Sequence, residues 1–189
     1  MQKDVGAVMG LYPTPVTVVG TVVDGRVNFL TIAHVGVVEH GTLLISVDKV
    51  HEFSDRGIRE NKAVSVSLVN QDMLVAADYC GIAKGAKTDK SEVFKYHFDD
   101  VKNAPIVDVA PISMTCKVLS SFTVGNFTNY ILKPVHTYVQ EEMLNDKGKI
   151  DYVKASPILF EFQNAQYLSL GKVVGQCWNY GKGFRNKKG

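Results

Sequence analysis

Short segments rich in β-branched residues and separated by turn residues recur along the chain, and they constrain its fold most. The segment VTVVGTVV at 16–23 is followed by an Asp-Gly pair, and glycine tolerates the positive φ that tight hairpin turns need. Residues 25–47, GRVNFLTIAHVGVVEHGTLLISV, then predict a strand, a turn at 40–41 and a second strand. This pattern is typical of antiparallel sheet.

Two short helices are expected to interrupt the strands. Apolar residues over 50–61 recur on one helical face, and Asn61 is a plausible stop. A second helix is predicted after Asn70 and Asp72, whose side chains can cap its first turn. Its apolar face contains Met73, Leu74, Ala77 and Cys80.

The second half of the chain is mostly strand. Further strands are predicted at 63–69, 113–126, 129–142, 158–162 and 167–170, with an Asn-Asp-Lys-Gly turn at 145–148. The regular strand-helix alternation of a doubly wound sheet is absent. The sequence therefore predicts a mainly β fold, an antiparallel barrel with short helical insertions.

The composition fits one globular domain spanning 1–189, with a basic, solvated tail at about 181–189. A net charge of only +2 speaks against a nucleic-acid partner, as do strands that are aliphatic rather than basic and aromatic. The aromatic residues Trp178, Tyr180 and Phe184 precede or lie within this tail. These aromatic residues could cover either a pocket or a partner chain, and the sequence does not separate the two options.

The reactive residues form no recognisable catalytic or metal motif. Cys80, Cys116 and Cys177 show no CxxC spacing, which suits a reducing compartment and predicts a cytoplasmic protein. The histidines form no HExxH pattern, so no metal is predicted, and no apolar run is long enough to indicate a membrane partner. GxGxxG, GxxxxGK[ST] and GxSxG are also absent, and no catalytic residue is assigned.

Three polar residues interrupt the apolar run at 25–47. Asn28, Thr31 and His34 are spaced three apart in a segment that otherwise favours buried sheet. They are either ordinary strand-edge groups or a surface presented to a ligand. An asparagine offers both donors and an acceptor, as a ring edge with carbonyls and an N–H requires.

An ordered set of segments resembles a known family. PTPVTVVGT, NFLTIAH, ISVDKVHEFSDRGI, KGAKTDK and YLSLGKVVG follow one another as in the flavin-reductase-like FMN-binding split barrels, which include flavoredoxins. The resemblance covers residues 10–175. It implies a split β-barrel that binds FMN non-covalently as a homodimer. NADH or NADPH would be the electron donor of a flavin reductase, whereas a flavoredoxin-like carrier would exchange electrons with a redox protein.

The resemblance also assigns site residues. It gives flavin contacts to Asn28, Thr31, Ile32, Ala33, His34, Ser46, Ser54, Cys80, Lys90, His136 and Tyr167. Among these, Ser54 takes the place of a phosphate-binding threonine at a helix start. Lys90 suits a phosphate or the negative charge near N1 of a reduced flavin.

Two departures from the family pattern leave an alternative function open. His34 stands where an aromatic residue, often tryptophan, is usual, and Lys84 stands where serine commonly precedes the loop glycine. A barrel that keeps the fold without tight FMN binding would be a non-enzymatic ligand-binding or sensor protein.

Overall fold

The computed structural model describes residues 1–182 and Phe184, so most of the predicted basic tail lies outside the described residues. The strands are β1 Thr14–Pro15, β2 Thr17–Val23, β3 Arg26–Ile32, β4 Val35–Glu39, β5 Thr42–Asp48, β6 Ala63–Leu68, β7 Tyr96–His97, β8 Ile106–Val107, β9 Ile112–Val124, β10 Phe127–Val139, β11 Leu159–Glu161 and β12 Gln166–Leu168. The helices are α1 Glu52–Asn61, α2 Leu74–Ile82 and α3 Tyr152–Ala155, with 3₁₀ turns at Lys49–His51 and Glu141–Met143. None of these helices is long and apolar enough to cross a bilayer.

A seven-stranded antiparallel sheet in the order β3-β2-β6-β9-β10-β5-β4 forms the centre of the molecule. Strand β3, at one edge, also contacts β5 near the other edge, so the sheet curls into a barrel. A small sheet β1-β11-β12 lies beside it, built from both ends of the described chain. The prediction of an antiparallel barrel with helical insertions is confirmed.

One strand prediction is wrong. Residues 25–47 form three strands rather than two, because the chain leaves the sheet at Ala33 and His34. Up to that point β3 pairs with β2, and after it β4 pairs with β5 at the opposite edge. The break is therefore the passage of the chain from one sheet edge to the other. Strand β10 likewise ends at Val139, before the predicted limit of 142, because a 3₁₀ turn follows.

The core lies on both faces of the sheet because successive strand residues point to opposite sides. Val18 and Phe29 belong to a cluster that α2 covers with Met73, Ala77 and Cys80. The neighbouring residues Val19 and Leu30 belong to a second cluster inside the barrel, which also contains Ile58 of α1 and Tyr130 of β10.

Helix α1 packs very closely on β2 at Gly57. A Cβ there would lie 2.7 Å from the Val22 carbonyl oxygen and 2.7 Å from Val23 Cγ2. We expect Gly57→Ala to lower the free energy of unfolding by about 1–2 kcal/mol. Overpacking against backbone costs about 1–3 kcal/mol, whereas alanine gains up to about 1 kcal/mol in helix propensity. Urea unfolding measures this difference.

Gly36→Ala is the matched control, since nothing lies within 4 Å of a Cβ at that position in β4. Equal unfolding midpoints for Gly57→Ala and Gly36→Ala would contradict the close packing.

Candidate functional site

A cleft of about 810 Å³ opens where the chain passes from β3 to β4. One wall comes from the end of β3, the end of β5 and the 3₁₀ turn before α1. A second wall comes from the N-terminal segment and the β11–β12 hairpin, and α2 contributes Asp78, Gly81 and Ile82. The lining residues are Val8, Met9, Tyr12, Val16, Thr31, Ile32, Ala33, His34, Ser46, Val47, Asp48, His51, Asp78, Gly81, Ile82, Phe127, Phe160, Phe162, Gln163 and Tyr167.

Six of the eleven predicted site residues line this cleft. They are Thr31, Ile32, Ala33, His34, Ser46 and Tyr167. The first four are consecutive: Thr31 and Ile32 end β3, and Ala33 and His34 form the strand break that follows. Their predicted contacts with flavin stay predictions.

Hydrogen bonds hold the polar groups of the first wall in place. The Thr31 hydroxyl donates to the Ala77 carbonyl of α2. The Ser46 hydroxyl donates to Asn129 Oδ1 at 2.6 Å, and His34 Nε2 lies 3.2 Å from the Tyr12 hydroxyl. The His34 ring also meets Phe127 edge to face, with 5.3 Å between ring centroids. These side chains are therefore oriented before any ligand binds.

His51 lies at one end of the cleft, directly before α1. Burial lowers the pKa of its imidazole, Asp48 opposes this shift, and the positive charges of Lys90 and Lys84 lower the pKa further. The sequence analysis did not single out His51. Its position at the predicted helix start could have indicated a site residue, because a residue just before a helix lies near the free backbone N–H groups of the first turn.

The second wall is aromatic and was not predicted as a unit. The Tyr12 ring lies nearly parallel to Phe162, with a centroid distance of 6.2 Å, and meets Phe160 edge to face at 6.3 Å. The Tyr167 hydroxyl donates to Asp78 Oδ1 at 2.6 Å. Burial together with this bond raises the pKa of Tyr167 to about 12, so the hydroxyl keeps its proton at neutral pH.

Asn28 and Ser54 are buried outside the cleft lining. Asn28 Nδ2 donates to Ser54 Oγ at 2.8 Å, which joins β3 to α1. Asn28 Oδ1 is buried without a hydrogen-bond partner among the described residues. Gly85 covers it so closely that a Cβ on Gly85 would lie 2.4 Å from this oxygen.

Cys80 and Lys90 are also buried behind the cleft. Lys90 Nζ donates to the carbonyls of Cys80 at 3.1 Å and Ala83 at 3.2 Å, at the C-terminal end of α2. Burial lowers the pKa of Lys90 and raises that of the Cys80 thiol to about 11. In the structure this lysine caps a helix end, a role that favours a cation.

His136 lies on β10, away from the other predicted residues. Its Nε2 is 2.7 Å from Asp100 Oδ1. The ligand atoms of Asp99, Asp100 and His136 lie within 4.8 Å of one another, close enough to share a cation. No metal motif is visible in the sequence here, because His136 lies 36 residues beyond the adjacent Asp99 and Asp100. The predicted absence of a metal stays a prediction.

Comparisons with known proteins agree with this architecture. A family model described as flavin reductase like domain matches residues 9–169. The chain is 27% identical to flavoredoxin from Methanosarcina acetivorans, with a TM-score of 0.91 over 97% of this chain and 99% of that one. It is 28% identical to flavoredoxin of Desulfovibrio vulgaris (Miyazaki F), with a TM-score of 0.89 over 96% of this chain and 100% of that one. No curated protein matches the chain significantly.

The family match covers most of the chain, so the chain belongs to the flavin reductase-like domain family. It is a flavoprotein with a flavin reductase or electron-carrier role, as the resemblance predicted. An FMN-binding protein from Thermus thermophilus, 18% identical, shares the fold with a TM-score of 0.77 over 93% of this chain and 97% of that one.

Proposed function

We propose that the whole chain, 1–189, is one flavin-reductase-like domain that binds FMN non-covalently in the cleft and passes electrons through it. The observation that carries this proposal is the cleft itself. It brings together a continuous run of predicted flavin contacts, Thr31 to His34, and four aromatic rings. Its volume of about 810 Å³ lies within the range of about 300–1,000 Å³ usual for ligand sites.

The residues present fit both parts of FMN. Val47, Ile82 and Phe127 give the cleft apolar surface for a planar ring. We place the phosphate at the end near His51, where the positive charges of Lys90 and Lys84 oppose the negative charge of Asp48. The first turn of α1 adds backbone N–H groups there.

Bound FMN would supply the electron transfer, and the chain would bind, orient and shield it. Thr31 and Ser46 have hydroxyls fixed by bonds to Ala77 and Asn129. The aromatic wall of Tyr12, Phe160, Phe162 and Tyr167 would exclude water from its side of the cleft. The Tyr167 hydroxyl stays protonated and anchored on Asp78 across neutral pH. No general acid or base from the chain is required.

Two roles share this site, and an absorbance titration separates them. Purified protein is mixed with FMN and then, without oxygen, with NADH or NADPH. Bleaching of the bound flavin by a nicotinamide supports an NAD(P)H:flavin oxidoreductase. Flavin that stays oxidised until dithionite is added supports a flavoredoxin-like carrier with a protein donor. No bound flavin at excess FMN would overturn the proposal and favour a non-enzymatic binder.

A homodimer in the cytoplasm completes the proposal. Phe122 and Val124 near the end of the β9–β10 hairpin are exposed apolar residues, which supports a partner surface. The free state of Cys80, Cys116 and Cys177 supports a reducing compartment.

Replacing Lys90 tests whether its ammonium group caps the C-terminal end of α2. We expect Lys90→Met to lower the free energy of unfolding by about 1–3 kcal/mol, because two buried carbonyls lose a charged donor. The pKa of His51 should rise, since the charge of Lys90 holds it down. FMN affinity should fall less than tenfold, because only the field of the charge is lost. Denaturant unfolding, imidazole NMR and FMN titration give the three readings.

Lys87→Met removes an exposed lysine from the same loop and should leave all three readings unchanged. Unaltered stability in Lys90→Met together with a loss of FMN affinity beyond 100-fold would instead make Lys90 a direct phosphate ligand.

A further inference from the structure

The chain continues beyond β12 as a segment whose described residues are all exposed. We define the C-terminal arm as residues 169–182 with Phe184. Its large apolar side chains are exposed, and Trp178 is 90% exposed. They are Leu170, Val173, Val174, Trp178, Tyr180 and Phe184. Such a concentration of apolar surface in one short segment marks an interaction site.

The hydrogen bonds of the described arm residues lie within the arm. Among the described residues, its backbone hydrogen bonds run from Asn179 and Tyr180 to Gln176, from Lys182 to Asn179 and from Phe184 to Gly181. The Tyr180 ring lies against Gly175, where a Cβ would be 2.3 Å from Tyr180 Cδ2. Trp178 has a φ of 62°, which is unfavourable for a bulky residue. The described arm is thus a bend formed by its own hydrogen bonds, with its large apolar side chains exposed.

A second apolar surface lies beside the cleft. Directly paired residues of neighbouring strands share one sheet face. Ser46 pairs with Asn129 and then Phe122, while Asp48 pairs with Phe127 and then Val124. Each row begins at a cleft-lining residue and ends at an exposed apolar one. The next row on this face contains half-buried Leu44 and Ile131. We define the outer patch as Leu44, Phe122, Val124 and Ile131.

We propose that the C-terminal arm is exchanged between two copies of this chain, each arm lying on the other copy's outer patch next to the cleft. This inference rests on the homodimer proposed above. Each copy carries one arm and one patch, so a two-fold symmetric exchange covers both arms and both patches of the dimer. The arm would bring Trp178 to the rim of the neighbouring cleft and thereby close it to water.

Two further observations favour a second copy as the occupant. The alignment with flavoredoxin from Methanosarcina acetivorans spans 97% of this chain with a TM-score of 0.91, so it includes most of the arm. Another protein of the family therefore has a chain segment equivalent to most of the arm. The area is also adequate. Three aromatic side chains of about 150–250 Å² each, with three aliphatic ones, approach the roughly 800 Å² that each partner buries in a stable interface.

The arm carries its own reporters. Trp178 is the only tryptophan, and Cys177 is the only exposed cysteine, since Cys80 and Cys116 are buried. Sedimentation gives the mass of the full-length protein, Trp178 emission gives the polarity around the arm, and thiol labelling gives the accessibility of Cys177. We expect a dimer with blue-shifted emission and labelling at least tenfold slower than in urea. Dilution below the dimer dissociation constant should abolish both effects.

Two variants and their mixture test exchange directly. Val174→Asp alters the arm and Phe122→Asp alters the patch, and each should raise the dimer dissociation constant at least tenfold. Val109→Asp, an exposed valine outside both surfaces, is the control. A mixture of the two altered chains pairs an intact arm with an intact patch once. It should therefore form heterodimers more readily than either chain forms homodimers.

The remaining outcomes overturn the proposal in distinguishable ways. A monomer with protected Cys177 would mean that the arm folds onto its own domain. A dimer that persists in both variants with Cys177 freely labelled would mean that the copies meet elsewhere. A monomer with free Cys177 would overturn the exchange and the homodimer together. FMN titration of the same samples reports on the flavin site independently of each result.

Discussion

Replacing Gly81 by leucine is expected to raise the dissociation constant for FMN by roughly 100-fold or more while leaving the chain at least as stable. Gly81 lies on α2 and lines the cleft. A Cβ at this position would lie 3.5 Å from Thr31 Cβ, an ordinary contact, so the added side chain starts without a clash and continues into the cleft. A 100-fold loss corresponds to about 2.7 kcal/mol of binding free energy.

The stability of the same variant should change in the opposite direction. Leucine favours helix over glycine by up to about 1 kcal/mol, and α2 is otherwise unaltered. Fluorescence titration with FMN and thermal unfolding without ligand measure the two effects separately. The opposite signs distinguish a filled site from a damaged fold.

Gly81→Ala is the matched control, because its single methyl group makes the same contact with Thr31 and leaves most of the cleft open. It should change the FMN dissociation constant only a few-fold. If Gly81→Leu bound FMN with wild-type affinity, the flavin would lie outside this cleft, whether or not the contacts predicted from the family are correct.

The strands were predictable where one face is buried, because alternation then reports directly on burial. Alternation of this kind predicts a strand over 63–69, and β6 spans Ala63–Leu68. The break at Ala33 and His34 was not predictable, since it depends on which distant strands pair with β3 and β4. Pairing of that kind leaves no local signal in the sequence.

The same distinction between local and long-range information applies to the residues of the site. The run from Thr31 to His34 is local in sequence, and the structure places it in the cleft. The aromatic wall joins Tyr12 from one end of the chain to Phe160 and Tyr167 from the other. Only the pairing of β1 with β11 brings these ends together. For Lys90, the predicted flavin contact stays a prediction, and the two helix carbonyls that its ammonium group contacts depend on tertiary packing that leaves no local signal.

The folded chain should lose stability steeply above pH 9, because two cysteines are buried as thiols. Burial raises the pKa of Cys80 from 9.0 to about 11 and that of Cys116 from 9.0 to about 12. Between pH 9 and 11 the unfolded chain releases these protons and the folded chain retains them. Each thiol then lowers the free energy of unfolding by about 1.4 kcal/mol per pH unit, or together by about 2.7 kcal/mol per unit.

Other groups modify this slope in a known direction. Burial lowers the pKa of Lys90, so the folded chain releases that proton before the unfolded chain, and stability rises with pH through this group. Tyr167, whose pKa is raised to about 12, adds to the loss once unfolded tyrosines ionise near pH 10. The thiols therefore act first, and the tyrosine extends the loss to higher pH.

Urea unfolding at intervals between pH 7 and 11 tests the assignment to thiols. The double variant Cys80→Ala with Cys116→Ala should be less stable at pH 7, because two buried side chains are shortened, yet its stability should fall much less between pH 9 and 10. Cys177→Ala removes an exposed thiol and should retain the full slope. A double variant that keeps the wild-type slope would instead assign the alkaline loss to the tyrosines with raised pKa values, Tyr130 and Tyr167.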